Sequence, residues 1–441
     1  MTSYKKNSFL DDIEIKDISH KEVISTLSKI IKKQSTKVSK KSFSNMSLSE
    51  KMKYIKENVY KILGRYKGFV KVIRDEEELE KYINKAIKID YLSFDTETNN
   101  SIDPLTCKLM GLCMYIPNTK PVYVPINHTI PGTDELLENQ VSEEFAKRCI
   151  VSLKNNNTKI VYHNGKFDMR VIYNTLGIYP PIWWDTMIAS QLLNENDVHK
   201  LKVQYPKHVD PTVSHYDIEG IFMGIPYAWI DPEIFALYAA IDAYDTYKLQ
   251  VYQQKEFEKE GMERLYKVFR EIEMPVVEVT SRMEDWGICI DTDYLRKLNN
   301  KYEKQRQKAF EKIQNFLLPY SKEITKYQAL GKLDVPYNIN SDSQLNLIIY
   351  DILKIPRVDG MKKSTEKQVL EAMDNEFADA MLEYKHYNTL INNFTSQFAS
   401  WLSSRDNKLH AHFNQMGTEE RGIRTGRFSS TDPKLNWGFV A

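Results

Sequence analysis

Cysteine is scarce: four residues in 441, at positions 107, 113, 149 and 289. Their spacing matches no zinc site and their density no disulfide framework, which excludes a small stapled scaffold and fits a reducing cytoplasm, the expected compartment. No apolar run is long enough to cross a bilayer, so no membrane is expected as a partner. Residues 1–12 lack the basic-then-apolar layout of a signal peptide. There is no internal repeat with the period of a solenoid or propeller. Net charge is scarce too, with 61 Lys+Arg against 60 Asp+Glu, which excludes a globally basic nucleic-acid binder. The balance is uneven, however. Residues 1–65 carry 15 basic and 7 acidic side chains, a charge of +8; since the whole chain is +1, residues 66–441 sum to −7. Basic density is therefore local, as suits a molecule with some surfaces for phosphate and others for metal.

What is present changes character along the chain. Residues 1–65 read as a basic N-terminal arm, with Lys32, Lys33, Lys37, Lys40 and Lys41 in a polar linker. A helix follows: Ser47 and Glu50 have capping-box spacing, and Met52, Ile55, Val59, Ile62 and Leu63 share a helical face. A docking element and a DNA-binding arm are both open readings. Residues 66–261 alternate strand and helix patterns. Strands are expected over 68–73, 91–96, 109–115, 122–125 and 159–162, and helices over 75–87, 142–153, 166–176, 185–193 and 231–260, which makes an α/β domain. From residue 262 to 415 long helical patterns dominate, at 262–286, 292–317, 343–353, 365–373 and 376–402.

Acids recur in three places. In Phe94-Asp95-Thr96-Glu97-Thr98, strand geometry turns Asp95 and Glu97 to one side and Phe94 and Thr96 to the other. By itself the pair could equally be a solvated strand end. In His163-Asn164-Gly165-Lys166-Phe167-Asp168, a strand runs through a glycine turn into a helix, and Asp168 falls in the first helical turn, where the dipole alone would favour a carboxylate. In Tyr238-Ala239-Ala240-Ile241-Asp242, Tyr238 and Asp242 are four apart on one helix face, small alanines allow a close approach to a sheet, and Asp245 is a rival acid one turn on. Together the three segments point further. Clustered carboxylates repel unless cations neutralise them, and oxygen ligands favour Mg²⁺ or Mn²⁺. Two such ions can stabilise both the attacking and the leaving oxygen of a phosphodiester displacement.

Asp95-x-Glu97, Asn164-x-x-x-Asp168 and Tyr238-x-x-x-Asp242, in that order, resemble the three motifs of the DEDDy 3′→5′ exonucleases, the superfamily of polymerase proofreading domains and ribonuclease D. Trp184-Asp185-Thr186-Met187 with Leu192-Leu193-Asn194 is similar to that family's helix after the second motif. The resemblance implies a ribonuclease H-like fold, a mixed sheet flanked by helices, and two divalent ions. It implies that Asp95 bridges both ions, that Glu97 and Asp242 complete the tighter site, and that Asp168 serves the second. Tyr238 would hold the nucleophilic water and Asn164 would support the turn. Backbone groups of Thr96 and Thr98, with Ile102 as a wedge, would hold the terminal nucleotide of a single-stranded DNA 3′ end.

The second half resembles the family A DNA polymerases. Met283-Glu284-Asp285-Trp286-Gly287 is similar to the segment opening their polymerase region, and Asn338-Ile339-Asn340-Ser341-Asp342-Ser343-Gln344-Leu345 to a thumb segment. Ser364-Thr365 and Glu383-Tyr384 fit as well. Thr425-Gly426-Arg427-Phe428-Ser429-Ser430 resembles their Thr-Gly-Arg signature at the start of the palm, implying that Arg427 contacts the minor groove of a primer–template. The helix over 296–312 holds seven basic and two acidic residues, a local +5 suited to a duplex backbone. Gly417–Arg424 is longer than the usual spacing, and Lys434, Asn436 and Trp437 depart from the usual continuation. Residues 416–441 are thus expected to be an incomplete palm, and this chain alone is expected not to polymerise DNA. The short segment before the exonuclease resembles phage polymerases, with the host cytoplasm then the setting. A separate chain carrying palm and fingers is a candidate partner. A ribonuclease D-like enzyme acting on RNA and a non-catalytic DNA clamp are the rival readings.

Overall fold

The computed structural model describes residues 43–213, 222–416 and 427–431. The lysine-rich stretch from Lys32 to Lys41, and Thr425 and Gly426 of the palm signature, lie outside them. Helix α1 (Leu48–Leu63) begins as its sequence dictates: the Ser47 hydroxyl accepts the Glu50 N–H at 3.3 Å and the Glu50 carboxylate accepts the Ser47 N–H at 2.8 Å. There follow β1 (Lys71–Val72), α2 (Glu76–Ile89), β2 (Leu92–Thr98), β3 (Leu109–Tyr115), β4 (Val122–Pro125), α3 (Glu143–Asn155), β5 (Ile160–Tyr162), α4 (Gly165–Leu176), β6 (Trp184–Asp185), α5 (Thr186–Leu193), α6 (Leu201–His208) and α7 (Pro232–Phe257).

The six strands form one mixed sheet in the order β1-β4-β3-β2-β5-β6. Its centre is antiparallel, β4-β3-β2, and its flanks are parallel. Alternation along β3 separates two cores. Leu112 and Met114 join Phe94, Leu79, Ile83 and Ile172 on one face, whereas Cys113 and Tyr115 join Tyr123 and α7's Ala236, Ala239, Ala240 and Ala243 on the other. Ile55, Val59 and Leu63 of α1 are buried in that second core, so this helix packs into the sheet domain instead of standing apart in an arm.

The observed strand at the start is two residues long, because the turn before it, with Gly68 at φ +83°, runs on to Val70, whose N–H donates to the Tyr66 carbonyl at 3.2 Å. Two elements escape the sequence pattern. Strand β6 is only two residues, and α6 carries an internal Pro206, a residue that argues against a helix. The helical stretch from 262 is α8 (Glu263–Val268), a π-turn over Phe269–Glu273, and α9 (Met274–Trp286). The described residues divide into two compact units, one running to Asp285 with 414–416 and 427–429, the other holding 286–413 with 430–431. The change in pattern at 262 therefore precedes the change in packing, which falls after α9.

The second unit is largely helical: α10 (Thr292–Leu317), α11 (Ser321–Ala329), α12 (Asp342–Asn346), α13 (Lys367–Glu371) and α14 (Glu376–Leu390). Ala309, Ile313 and Leu317 of α10 meet Phe377, Met381 and Tyr384 of α14 and Ile348 and Ile349 in one core. Among the described residues no helix is long and apolar enough to cross a membrane.

Candidate active site

Strand β2 turns Asp95 and Glu97 toward α7, the face opposite Phe94 and Thr96. Opposite Asp95 in the antiparallel register stands Cys113, and opposite Glu97 stands Gly111. A Cβ at Gly111 would come within 2.4 Å of the Tyr123 hydroxyl, so only glycine lets that ring cross the sheet there. One carboxylate oxygen each of Asp95 and Glu97 and the Cys113 sulfur lie within 4.8 Å of one another. Asp242 and Asp168 are not in that tight group. Asp242 instead makes an ion pair with Lys202 from α6, whose ammonium also sits 5.5 Å from the centre of the Tyr238 ring. Asp245, the rival acid, is 2 % exposed and burial pushes its carboxyl up to about 7.

The electrostatics mark this as a place of unmet charge. Burial raises Asp95 to about 7, with Lys202 opposing the shift. Burial, then Asp95, push Glu97 well above its ordinary value. Tyr238 is raised by burial and by Glu97 and Asp95, which puts its hydroxyl in their field. Lys202 is lowered by burial, although Asp245, Asp95 and Glu97 all hold it up. Glu97 is 8 % exposed and accepts no hydrogen bond among the described residues. A buried carboxylate without donors is costly, and its natural remedy is a cation. The donor set, oxygens joined by one sulfur, fits a divalent metal.

Asp168 approaches from the other face. Its Oδ1 accepts the Thr96 N–H at 2.8 Å and the Thr96 hydroxyl at 2.6 Å, while Asp95 raises its carboxyl through space after burial. Thr96, expected at the terminal nucleotide, is 6 % exposed and spends both donors on Asp168, so it positions that acid. Asn164 adopts φ +66° at the start of α4, with no side-chain cap. The brace of this turn is Asp185, which accepts the N–H groups of Asn164 at 3.1 Å and Gly165 at 2.7 Å. Thr98 donates its hydroxyl to the Ser101 carbonyl at 2.9 Å, and Ile102 is 90 % exposed, a large apolar side chain at the strand's end. Arg427 is exposed and makes no hydrogen bond or ion pair among the described residues.

Sequence reasoning missed Lys202, Cys113, the bracing role of Asp185 and a buried network behind α4. There Lys166 and Arg170, one turn apart and flanking Asp168, pair with Glu284 and Asp285 of α9: Lys166 Nζ to Glu284 at 2.6 Å and Arg170 Nε to Asp285 at 2.8 Å. Tyr179 donates its hydroxyl to Asp285 at 2.6 Å. Register could have found Cys113, once β3 was aligned to β2. Nothing in the local sequence could have found the partners of Arg170, more than a hundred positions away.

Comparison with known proteins gives two family matches. Residues 70–258 match the family described as 3'-5' exonuclease, and residues 292–437 match DNA polymerase family A. The chain is 29 % identical over 363 residues to DNA polymerase I of Borreliella burgdorferi, covering 81 % of this chain and 36 % of that protein. It is 28 % identical over 378 residues to DNA polymerase I of Chloroflexus aurantiacus, covering 83 % of this chain and 37 % of the relative. The chain thus spans about a third of the length of these relatives. A solved structure, the POL domain of Pol1 from M. smegmatis in complex with DNA primer-template and dNTP, shares the fold at TM-score 0.59 and 16 % identity, over 83 % of this chain and 55 % of that one.

Proposed function

We propose that this chain, which belongs to the family A DNA polymerases and carries their 3′-5′ exonuclease domain with part of the polymerase domain, hydrolyses the 3′-terminal phosphodiester of DNA by the DEDDy route. The observation that carries the reading is the carboxylate pair of half-buried Asp95 and buried Glu97 beneath α7, whose field reaches the Tyr238 hydroxyl. Asp95, Glu97 and Asp242 would hold one divalent ion, Mg²⁺ or Mn²⁺, and Asp95 with the free edge of Asp168 a second. Such ions supply Lewis-acid stabilisation of the attacking and leaving oxygens. The residues do the rest. Tyr238 orients the attacking water, Thr96 fixes Asp168, and Asp185 fixes the turn that carries Asn164. Ile102, exposed beyond the end of β2, wedges the last base apart from its neighbour. The substrate is a frayed single-stranded 3′ end, and the product a nucleoside 5′-monophosphate. A primer–template is the duplex partner, its phosphate backbone suited to the basic face of α10.

The test is a 5′-labelled primer with a frayed 3′ end, incubated with Mg²⁺ beside Asp95→Ala/Glu97→Ala. Shortening from the 3′ end is expected, reduced in the double variant to the level of a chelator control. Equal cleavage by the variant would overturn the reading. Preference for RNA of the same sequence would favour the ribonuclease D-like alternative, and tight binding without cleavage a DNA clamp. Adding all four deoxynucleotides tests the expectation that these residues do not extend a primer.

A further inference from the structure

Of the three side chains Asp95, Glu97 and Cys113, the cysteine is the one that the exonuclease reading does not use. It is fully buried, and β3 places it directly across from Asp95. Its sulfur lies within 4.8 Å of an oxygen of each carboxylate, so all three atoms look into one space. Beside it is Glu97, more than nine-tenths buried and without a hydrogen bond among the described residues. Around a small divalent ion, sulfur and oxygen ligands sit about 3.5 Å apart, given bonds of about 2.3 and 2.1 Å. The three side chains therefore need to close by no more than about 1.3 Å. Mg²⁺ takes oxygen and leaves a thiol alone, whereas softer ions bind thiolate in preference.

We infer that Cys113 makes the Asp95–Glu97 site thiophilic, so that Zn²⁺- or Cd²⁺-class ions bind there through sulfur and displace the hard ion that hydrolysis requires. The inference rests on the reading of Asp95 and Glu97 as metal ligands. The chemistry balances simply: the S–H bond breaks, a sulfur–metal bond forms, the proton leaves to the buffer, and no electron changes hands. The function that follows is a proofreading centre poisoned by soft divalent ions, with Cys113 as the residue that sets its metal selectivity.

Cd²⁺ is the probe, followed by its thiolate charge-transfer band in the near ultraviolet and by calorimetry on the full chain. A Cys289→Ser background silences the exposed thiol; the other cysteines are buried. The expected result is a band that Cys113→Ser removes, with Cd²⁺ affinity falling roughly 10- to 100-fold while Mn²⁺ affinity changes far less. Cys113→Ala, which adds no buried hydroxyl, must behave the same, and unchanged melting of either variant checks the fold. A band and affinity that survive both substitutions overturn the inference. Asp95→Ala/Glu97→Ala separates the two levels. If that variant binds Mn²⁺ as the parent does, the exonuclease reading fails and this inference with it; if Mn²⁺ binding needs the acids but the Cd²⁺ band ignores Cys113, only the inference fails.

Discussion

Lys202 is the cation already inside the acid cluster, paired with Asp242 and close enough to Asp95 and Glu97 to oppose their upward shifts. It therefore competes with any divalent ion for the same field. Lys202→Met should raise Mn²⁺ affinity at least about fivefold, since one repelling charge near the ion is worth a kcal/mol or more even at high effective dielectric. In chelator the same variant should be less stable by roughly 1–2 kcal/mol, having left Asp242 without its partner. Titration of Mn²⁺ by calorimetry, with urea melts in chelator, checks both signs; weaker Mn²⁺ binding in the variant would show that Lys202 assists the ion. The acids also set a pH dependence. Asp95 titrates at about 7 in the folded chain, against 3.8 ordinarily, so protonation stabilises the fold. Chelator-treated protein should lose stability as pH climbs from the ordinary carboxyl range to about 7. Divalent ions should reverse this, and Mn²⁺ affinity should rise by up to about tenfold per pH unit below 7 for each proton displaced.

At the scale of elements, α4 carries Asp168 on a helix whose outer face is locked to α9 by charge. Arg170, 1 % exposed, meets both Glu284 and Asp285, and Lys166 shares Glu284. Removing one partner of a buried network strands the others, so Arg170→Ala should cost roughly 3–5 kcal/mol in urea denaturation of the first unit, and replacing Arg170, Glu284 and Asp285 together by apolar residues should cost less. Cleavage should fall with the single variant more than DNA binding does, because α4 positions Asp168. The elements most legible in the sequence are those whose period is carried by side chains alone. A continuous apolar run gave β3 its bounds, and Ser47 with Glu50 marked the start of α1. The pairing of Asp95 with Glu97 follows from a period of two. What escaped were features decided by tertiary context: α6, which closes over a proline to deliver Lys202; the π-turn before α9; and the bond from Thr96 to Asp168, which joins residues 72 positions apart.

Over the whole molecule, near-neutral charge conceals a division of labour that salt can expose. Helix α10 carries Lys297, Lys301, Lys304 and Lys308, spaced four, three and four apart and therefore on one face. All four are exposed and none has an ion-pair partner among the described residues. Their neighbours are already neutralised: Lys312 pairs with Glu383 at 2.7 Å, Arg306 with Glu303 at 2.6 Å and Arg296 with Asp293 at 2.9 Å. Only unpaired cations release counterions when they meet phosphate, and each contributes about 0.9 to the salt exponent of duplex binding. Changing the four lysines to glutamine should lower the slope of log K against log salt by up to about 3.6, equally for any duplex sequence. Lys312→Gln should leave the slope almost unchanged, because its charge is already held by a carboxylate. Fluorescence anisotropy of a labelled duplex across a salt series measures both. If Lys312 mattered as much as Lys301, the duplex would follow the total charge of α10 and not its unpaired stripe. If neither mattered, the helix would face solvent, and the +5 of residues 296–312 would serve solubility alone.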